Sequence, residues 1–146
     1  MNPTSIDHSA PVIARHSALI TAPVDVVWRR HTDINRWPLW QKAIDAAHLD
    51  GLFAPEATFT WHTHNLTITS TVYGVDDHRH TLWGGPSEGI TGIHSWTFTP
   101  TPDGVVVEPE ESWSGDPVNA DRANMQAALD GSLKAWLDYL ASAATK

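Results

Sequence analysis

Apolar and polar positions change period twice along the chain. VIARHSALI, from Val12 to Ile20, alternates as a strand does. In TAPVDVVWRRHTD, Pro23 suits a first helical turn with Thr21 or Ala22 before it, and Val24, Val27 and Trp28 have helical spacing. This short helix ends near Asp33. Pro38, in INRWPLWQKAI, prevents simple continuation, so a second short helix is expected around it.

From Ile44 to Gly115 the pattern predicts six strands: IDAAHL, closed by Asp50-Gly51, then ATFTWHTHN, LTITSTVYGV, HTLWGG, GITGIHSWTFTP and VVVEPEESWSG. Asn65 lies at one tight connection and TPDG at another. Phe59, Trp61 and Thr63 share a face, as do Leu66, Ile68, Ser70 and Val72. From Val118 to about Ala144 the period becomes helical, with Met125, Leu129, Leu133, Trp136 and Leu140 on one side. That helix would be roughly 40 Å long. Gly131 sits in its middle, where it would allow a bend or the close approach of another group.

These elements predict an α+β fold. A curved antiparallel sheet of about seven strands must bury its apolar face, and only the C-terminal helix is large enough to cover it. The two short helices after strand 1 would close part of the gap, leaving an internal cavity.

The length of 146 residues suits one domain with a real core. No apolar run approaches the roughly 20 residues of a membrane span, so no membrane insertion is expected. MNPTSIDHSAP lacks the form of a signal peptide. Residues 1–9 read as a flexible tail, residues 10–146 as a single ligand-binding domain, and a cytoplasmic location is the default. Without cysteine there is no disulfide, thiolate metal site or cysteine nucleophile. A formal charge of −8, with only nine Lys and Arg, argues against nucleic acid. The eight tryptophans suit a roomy interior.

ITAPVDVVWRRHTDINRWPLW resembles the opening of the SRPBCC, or START-like, superfamily, in which a strand runs into AP.e.VW....D...w..W. GIHSWTFTPTPDGVVVEPEESWSG resembles the polyketide cyclase/dehydrase-like branch, with H.w.f.p...G..v...E...G over a hairpin. The resemblance spans roughly residues 12–144. It implies a helix-grip fold with a ligand cavity, and no metal. Its members include aromatase/cyclases, lipid and hormone carriers and chaperone activators, so it leaves activity open.

The chemistry converges on His94, which shares a strand face with Ile90, Trp96 and Phe98. If TPDG is a four-residue hairpin loop, Pro100 pairs with Val105 and His94 with Glu111; a loop two residues longer moves Glu111 one diagonal step away. A carboxylate beside a buried imidazole can orient it for a hydrogen bond to a ligand or for acid–base catalysis, or the pair can simply satisfy itself. A bulge in PEES would instead turn Glu110 inward. His62 and His64 could chelate a metal, but Phe59 and Trp61 claim the inward face, leaving a solvated pair. His78 and His80 read the same way. Trp61, Trp83, Trp96 and Trp113 come from separate strands and are candidates for an aromatic cavity wall; Leu82 competes with Trp83 for the inward face. Met125 and Leu129 are expected nearest the ligand, with Trp136 deeper and Trp28 and Trp40 packing the short helices onto the sheet.

The function expected is binding of a hydrophobic or aromatic small molecule. As an enzyme, the protein would cyclise or dehydrate a polyketide-like substrate with His94 and Glu111 as catalytic centre, without cofactor or metal. A non-catalytic carrier or sensor and a chaperone-activator-like interaction module are the alternatives. Monomer and homodimer stay open.

Overall fold

The computed structural model describes residues 2–146. Its element order is β1 (Val12–Arg15), β2 (Ala18–Ile20), α1 (Val24–Thr32), a 3₁₀ helix (Ile34–Leu39), β3 (Ile44–Leu49), β4 (Thr58–Thr63), β5 (Leu66–Asp76), β6 (His80–Ser87), β7 (Ile90–Thr101), β8 (Gly104–Ser114), α2 (Asp116–Ala120) and α3 (Arg122–Ala144). The strands form one antiparallel sheet ordered β1-β8-β7-β6-β5-β4-β3, with β2 also paired to β8. Against this sheet α3 buries Leu129, Leu133, Trp136, Leu137 and Leu140. This is the helix-grip arrangement. Among the described residues no helix is long and apolar enough to cross a membrane.

The first predicted strand is split in two by one proline on its neighbour. Val12 pairs with Trp113 and Ala18 with Val107, so the register is continuous. His16 falls opposite Pro109, whose carbonyl accepts the His16 N–H at 3.1 Å. Proline has no N–H to return, and the ladder breaks there. The same geometry directs the polar groups of Pro109 toward β1. Its pairing with Trp96 on β7 is therefore of the non-hydrogen-bonded kind, and so is that of His94 with Glu111, one step along. Side chains approach most closely in such pairs.

Two-residue turns set the β4–β5 and β7–β8 registers. His64 and Asn65 both have positive φ (48° and 64°), as the β4–β5 hairpin requires. Thr101 pairs with Gly104 across Pro102-Asp103, placing Pro100 opposite Val105. Alternation also separates Leu82 from Trp83: Trp83 joins the core under α3, while Leu82 packs with Ile6 and Ile93 on the other face of the sheet.

Three expectations change. The segment expected as a tail lies against the sheet: Ile6 is buried, and the Asp7 N–H donates to Ser112 Oγ at 2.9 Å. Leu82, Ile93, Ile13 and Tyr73 make this outer face partly apolar, and Ile6 covers it. The C-terminal helix is interrupted at Asp121, which leaves helical geometry between α2 and α3. No group approaches Gly131 closely, because a Cβ there would meet nothing within 4 Å.

Candidate functional site

The interior has two halves. Toward the β5–β6 and β7–β8 turns it is solid aromatic core. Trp37 is its hub, with ring centroids 5.5 Å from Phe59, 5.6 Å from Trp83 and 5.2 Å from Trp136. Its indole N–H donates to the His31 carbonyl at 3.0 Å. Toward the β4–β5 and β6–β7 turns, α3 and the sheet separate around a pocket of about 630 Å³. Small residues make the space: Ala128, Ser132 and Ala135 on α3, and Gly84, Gly85 and Gly92 on the sheet. Trp61, Trp113, Trp136 and Tyr139 supply aromatic wall.

His94 and Glu111 form the buried polar centre of that wall. They are 7% and 5% exposed, and His94 Nδ1 lies 3.0 Å from Glu111 Oε1, at ion-pair distance but off the line of a hydrogen bond. The other carboxylate oxygen accepts the Trp113 indole N–H at 2.6 Å. Glu110 faces the opposite way and pairs with Arg15, as strand alternation requires without a bulge. Behind the imidazole lies Trp83, stacked with centroids 3.8 Å apart and planes at 7°. The ring is thus held on one face by an indole and at Nδ1 by a carboxylate, while Nε2 lies toward the space left by Gly92. A Cβ on Gly92 would be 3.8 Å from His94 Nε2 and 3.6 Å from Trp113 Cδ1.

The structure divides the residues singled out from sequence. His94, Glu111, Trp61 and Trp113 line the pocket together. Trp83 and Trp96 are fully buried in the aromatic core and do not reach it; Trp83 acts on the site only from behind His94. Leu129 is fully buried and Met125 packs against the core, so neither lines the pocket. Trp136, expected deeper, forms part of the wall. Alternation identifies the inward face of a strand or helix but not the depth at which the facing element stands away.

The other histidines follow expectation in part. His62 faces outward, as expected, and pairs with Asp45 at 2.9 Å, whereas His64, in the turn, borders the pocket. His78 contacts Asp77 and stacks on Trp28 at 5.4 Å. His80 is half-buried and hydrogen-bonded to Ser95 at 2.8 Å, and burial lowers its pKa. His31, not singled out from sequence, is wholly buried and hydrogen-bonded through Nε2 to Thr81 Oγ1 at 2.8 Å. Burial first, then the nearby His94 and His80, lowers its pKa to about 3. Of the wall residues not singled out, Ala128, Ser132, Ala135 and the three glycines were legible only as small residues, a pattern common wherever elements pack closely, and Tyr139 and Gln41 carried no signal that set them apart.

Known proteins place this arrangement. Searching the curated proteins yields no match. Among solved structures, a hypothetical protein from Helicobacter pylori superposes with a TM-score of 0.83 at 16% identity, over 99% of this chain and 98% of that one. A START superfamily protein from Mycobacterium smegmatis gives 0.79 at 10% identity, over 91% and 97%. The di-domain ARO/CYC StfQ from the steffimycin biosynthetic pathway gives 0.75 at 15% identity, over 92% of this chain and 50% of that one. Identities this low establish a shared fold. The family model described as polyketide cyclase / dehydrase and lipid transport matches residues 11–145, nearly the whole chain, and the protein belongs to that family.

Proposed function

We propose that the protein binds a hydrophobic or aromatic small molecule in the pocket between α3 and the sheet, and that His94 is the group to which the ligand hydrogen-bonds. The observation that carries this reading is a buried imidazole, backed by Trp83 and Glu111, beside a hollow with a mainly apolar wall. A buried polar pair serving structure alone would be sealed by packing. Here glycine stands where a side chain would close the wall.

A polyketide-like ligand would allow His94 to act as acid and base. Nε2 would take a proton from a carbon flanked by two carbonyls, and that carbon would attack a ketone of the same chain. The resulting alkoxide would regain the proton, and removal of the attacking carbon's remaining proton by Nε2, with its return to the departing hydroxyl, would release water, form the C=C bond and complete a dehydrating cyclisation. Glu111 would hold the imidazole in place throughout. The second reading, a carrier or sensor, uses the same pocket with His94 as a hydrogen-bonding group only. It is favoured by the lack, among the described residues, of a further buried titratable side chain in the wall: besides His94 and Glu111, its buried polar residues are Gln41, Thr63 and Ser70. An interaction module, by contrast, calls for a filled core.

Incubation of the purified protein with a small-molecule extract, followed by mass spectrometry of what it retains, tests the reading. The wild type should retain an apolar compound. His94→Ala should lose at least about tenfold in affinity for it, roughly the worth of one hydrogen bond to a buried group, while remaining folded. Equal retention by both proteins would remove His94 from the site, and retention by neither would remove the pocket as a binding site.

A further inference from the structure

We infer that the pocket selects an uncharged ligand and rejects both carboxylates and ammonium ions, so that the molecule it takes is an aromatic or alicyclic alcohol or ketone. This rests on the pocket being the binding site. The charge inventory carries the inference. Among the described residues the pocket wall holds no Lys or Arg; besides His94, its charge-bearing side chains are Glu111, buried, and Glu88 and His64, both exposed in the β6–β7 and β4–β5 turns and so left in water. Lys42 is the cation beside the wall, and it lies outside, exposed, with Nζ 6.0 Å from the Tyr139 ring centroid.

The polar centre leaves no charge for a ligand to match. With the imidazole protonated, Glu111 already balances it at 3.0 Å, and the pair has no net charge. With the imidazole neutral, the pair carries one negative charge, already bonded to the Trp113 indole N–H. A ligand carboxylate at Nε2 would therefore enter an apolar wall as a second anion, either unpaired or competing with Glu111 for one cation. An ammonium would meet a protonated imidazole, or a Glu111 carboxylate with one oxygen 3.0 Å from His94 Nδ1 and the other already accepting from the Trp113 indole N–H. An alcohol pays neither penalty and can bond Nε2 in either state, accepting from the imidazolium N–H or donating to the neutral nitrogen, while a ketone oxygen accepts from the Nε2–H of the protonated ring. Rejection of the wrong partner by an unmatched buried charge is a common source of selectivity.

Three probes sharing one ring system decide the matter: 2-naphthylmethanol, 2-naphthoate and 2-naphthylmethylammonium, each titrated at neutral pH into the full-length protein by calorimetry. The alcohol should bind, with both ions at least about tenfold weaker, as expected for burying an unmatched charge. Binding of either ion as tightly as the alcohol would overturn the selectivity while leaving the pocket as a binding site. Failure of all three to bind would overturn the binding site itself. Glu111→Gln, checked for folding by its melting curve, supplies the second arm: its affinity for 2-naphthoate should rise severalfold relative to the alcohol, and an unchanged ratio would remove Glu111 as the source of rejection.

Discussion

The imidazole of His94 lies flat on the indole of Trp83, centroids 3.8 Å apart and planes 7° from parallel. The two residues are directly paired across β6 and β7. The stack therefore follows from the register and joins the solid half of the interior to the hollow half. Trp83 faces the aromatic core, and His94, one strand over, borders the pocket. Trp83→Ala should cost about 3–5 kcal/mol, the usual range for a buried Trp or Phe. Denaturant melts would measure it; a cost below about 1 kcal/mol would mean that Trp83 is not integral to the core.

Two glycines on neighbouring strands should behave oppositely when changed to alanine. A Cβ on Gly84 would sit 2.1 Å from the Gly92 carbonyl oxygen, a backbone collision that only movement of the strands can relieve. A Cβ on Gly92 would make ordinary contacts, 3.6 Å or more, with Trp113 and His94. Gly84→Ala should lower Tm by several degrees or prevent folding. Gly92→Ala should melt close to the wild type and weaken whatever binds at His94 Nε2. Equal melting of both variants would contradict the sheet geometry.

Gly131 offers a stabilising change. It lies within α3, exposed, and a Cβ there meets nothing. Gly131→Ala should gain about 0.5–1 kcal/mol from helix propensity alone. A loss of stability in thermal melts would show that α3 needs the glycine.

Burial of His31 predicts acid sensitivity. Its folded-state pKa of about 3 lies below the ordinary value of 6.5, so between these values the unfolded chain binds a proton that the folded chain does not. The contribution is fully present above pH 6.5 and falls as the pH drops, by about 1.4 kcal/mol per pH unit, until the folded-state value is reached. Between pH 7 and 4.5 the wild type should lose about 2–3 kcal/mol more than His31→Gln, which lacks this titration. Identical pH slopes for the two proteins in urea melts would remove His31 as the cause.

Much of the fold is legible because its signals are local. Pro23 starts α1, His64-Asn65 turns the β4–β5 hairpin, and the turn at Pro102-Asp103 fixes the β7–β8 register within a few residues of its own sequence. Once that register is set, His94 and Glu111 must face each other on the inner side, because side chains alternate strictly along paired strands. The role of Ile6 was not legible. A lone isoleucine in a polar stretch carries no period, and its partners Leu82 and Ile93 lie more than 70 residues away in the sequence.

The sequence by itself determined the order of elements and put His94 within reach of Glu111 in either register, both consequences of period and turn chemistry, while leaving Leu82 or Trp83, and Glu110 or Glu111, as the inward residue. Only the tertiary structure decided which inward residues meet solid core and which meet open space. Trp83, Trp96 and Leu129 share their faces with pocket-lining residues, yet the packed half of the interior claims them, whereas Trp61, Trp113 and Trp136 stand where α3 leaves the sheet. That outcome depends on how the small residues of α3 and the glycines of β6 and β7 come to face one another across the interior. Their spacing lies between elements, and no window along the chain contains it.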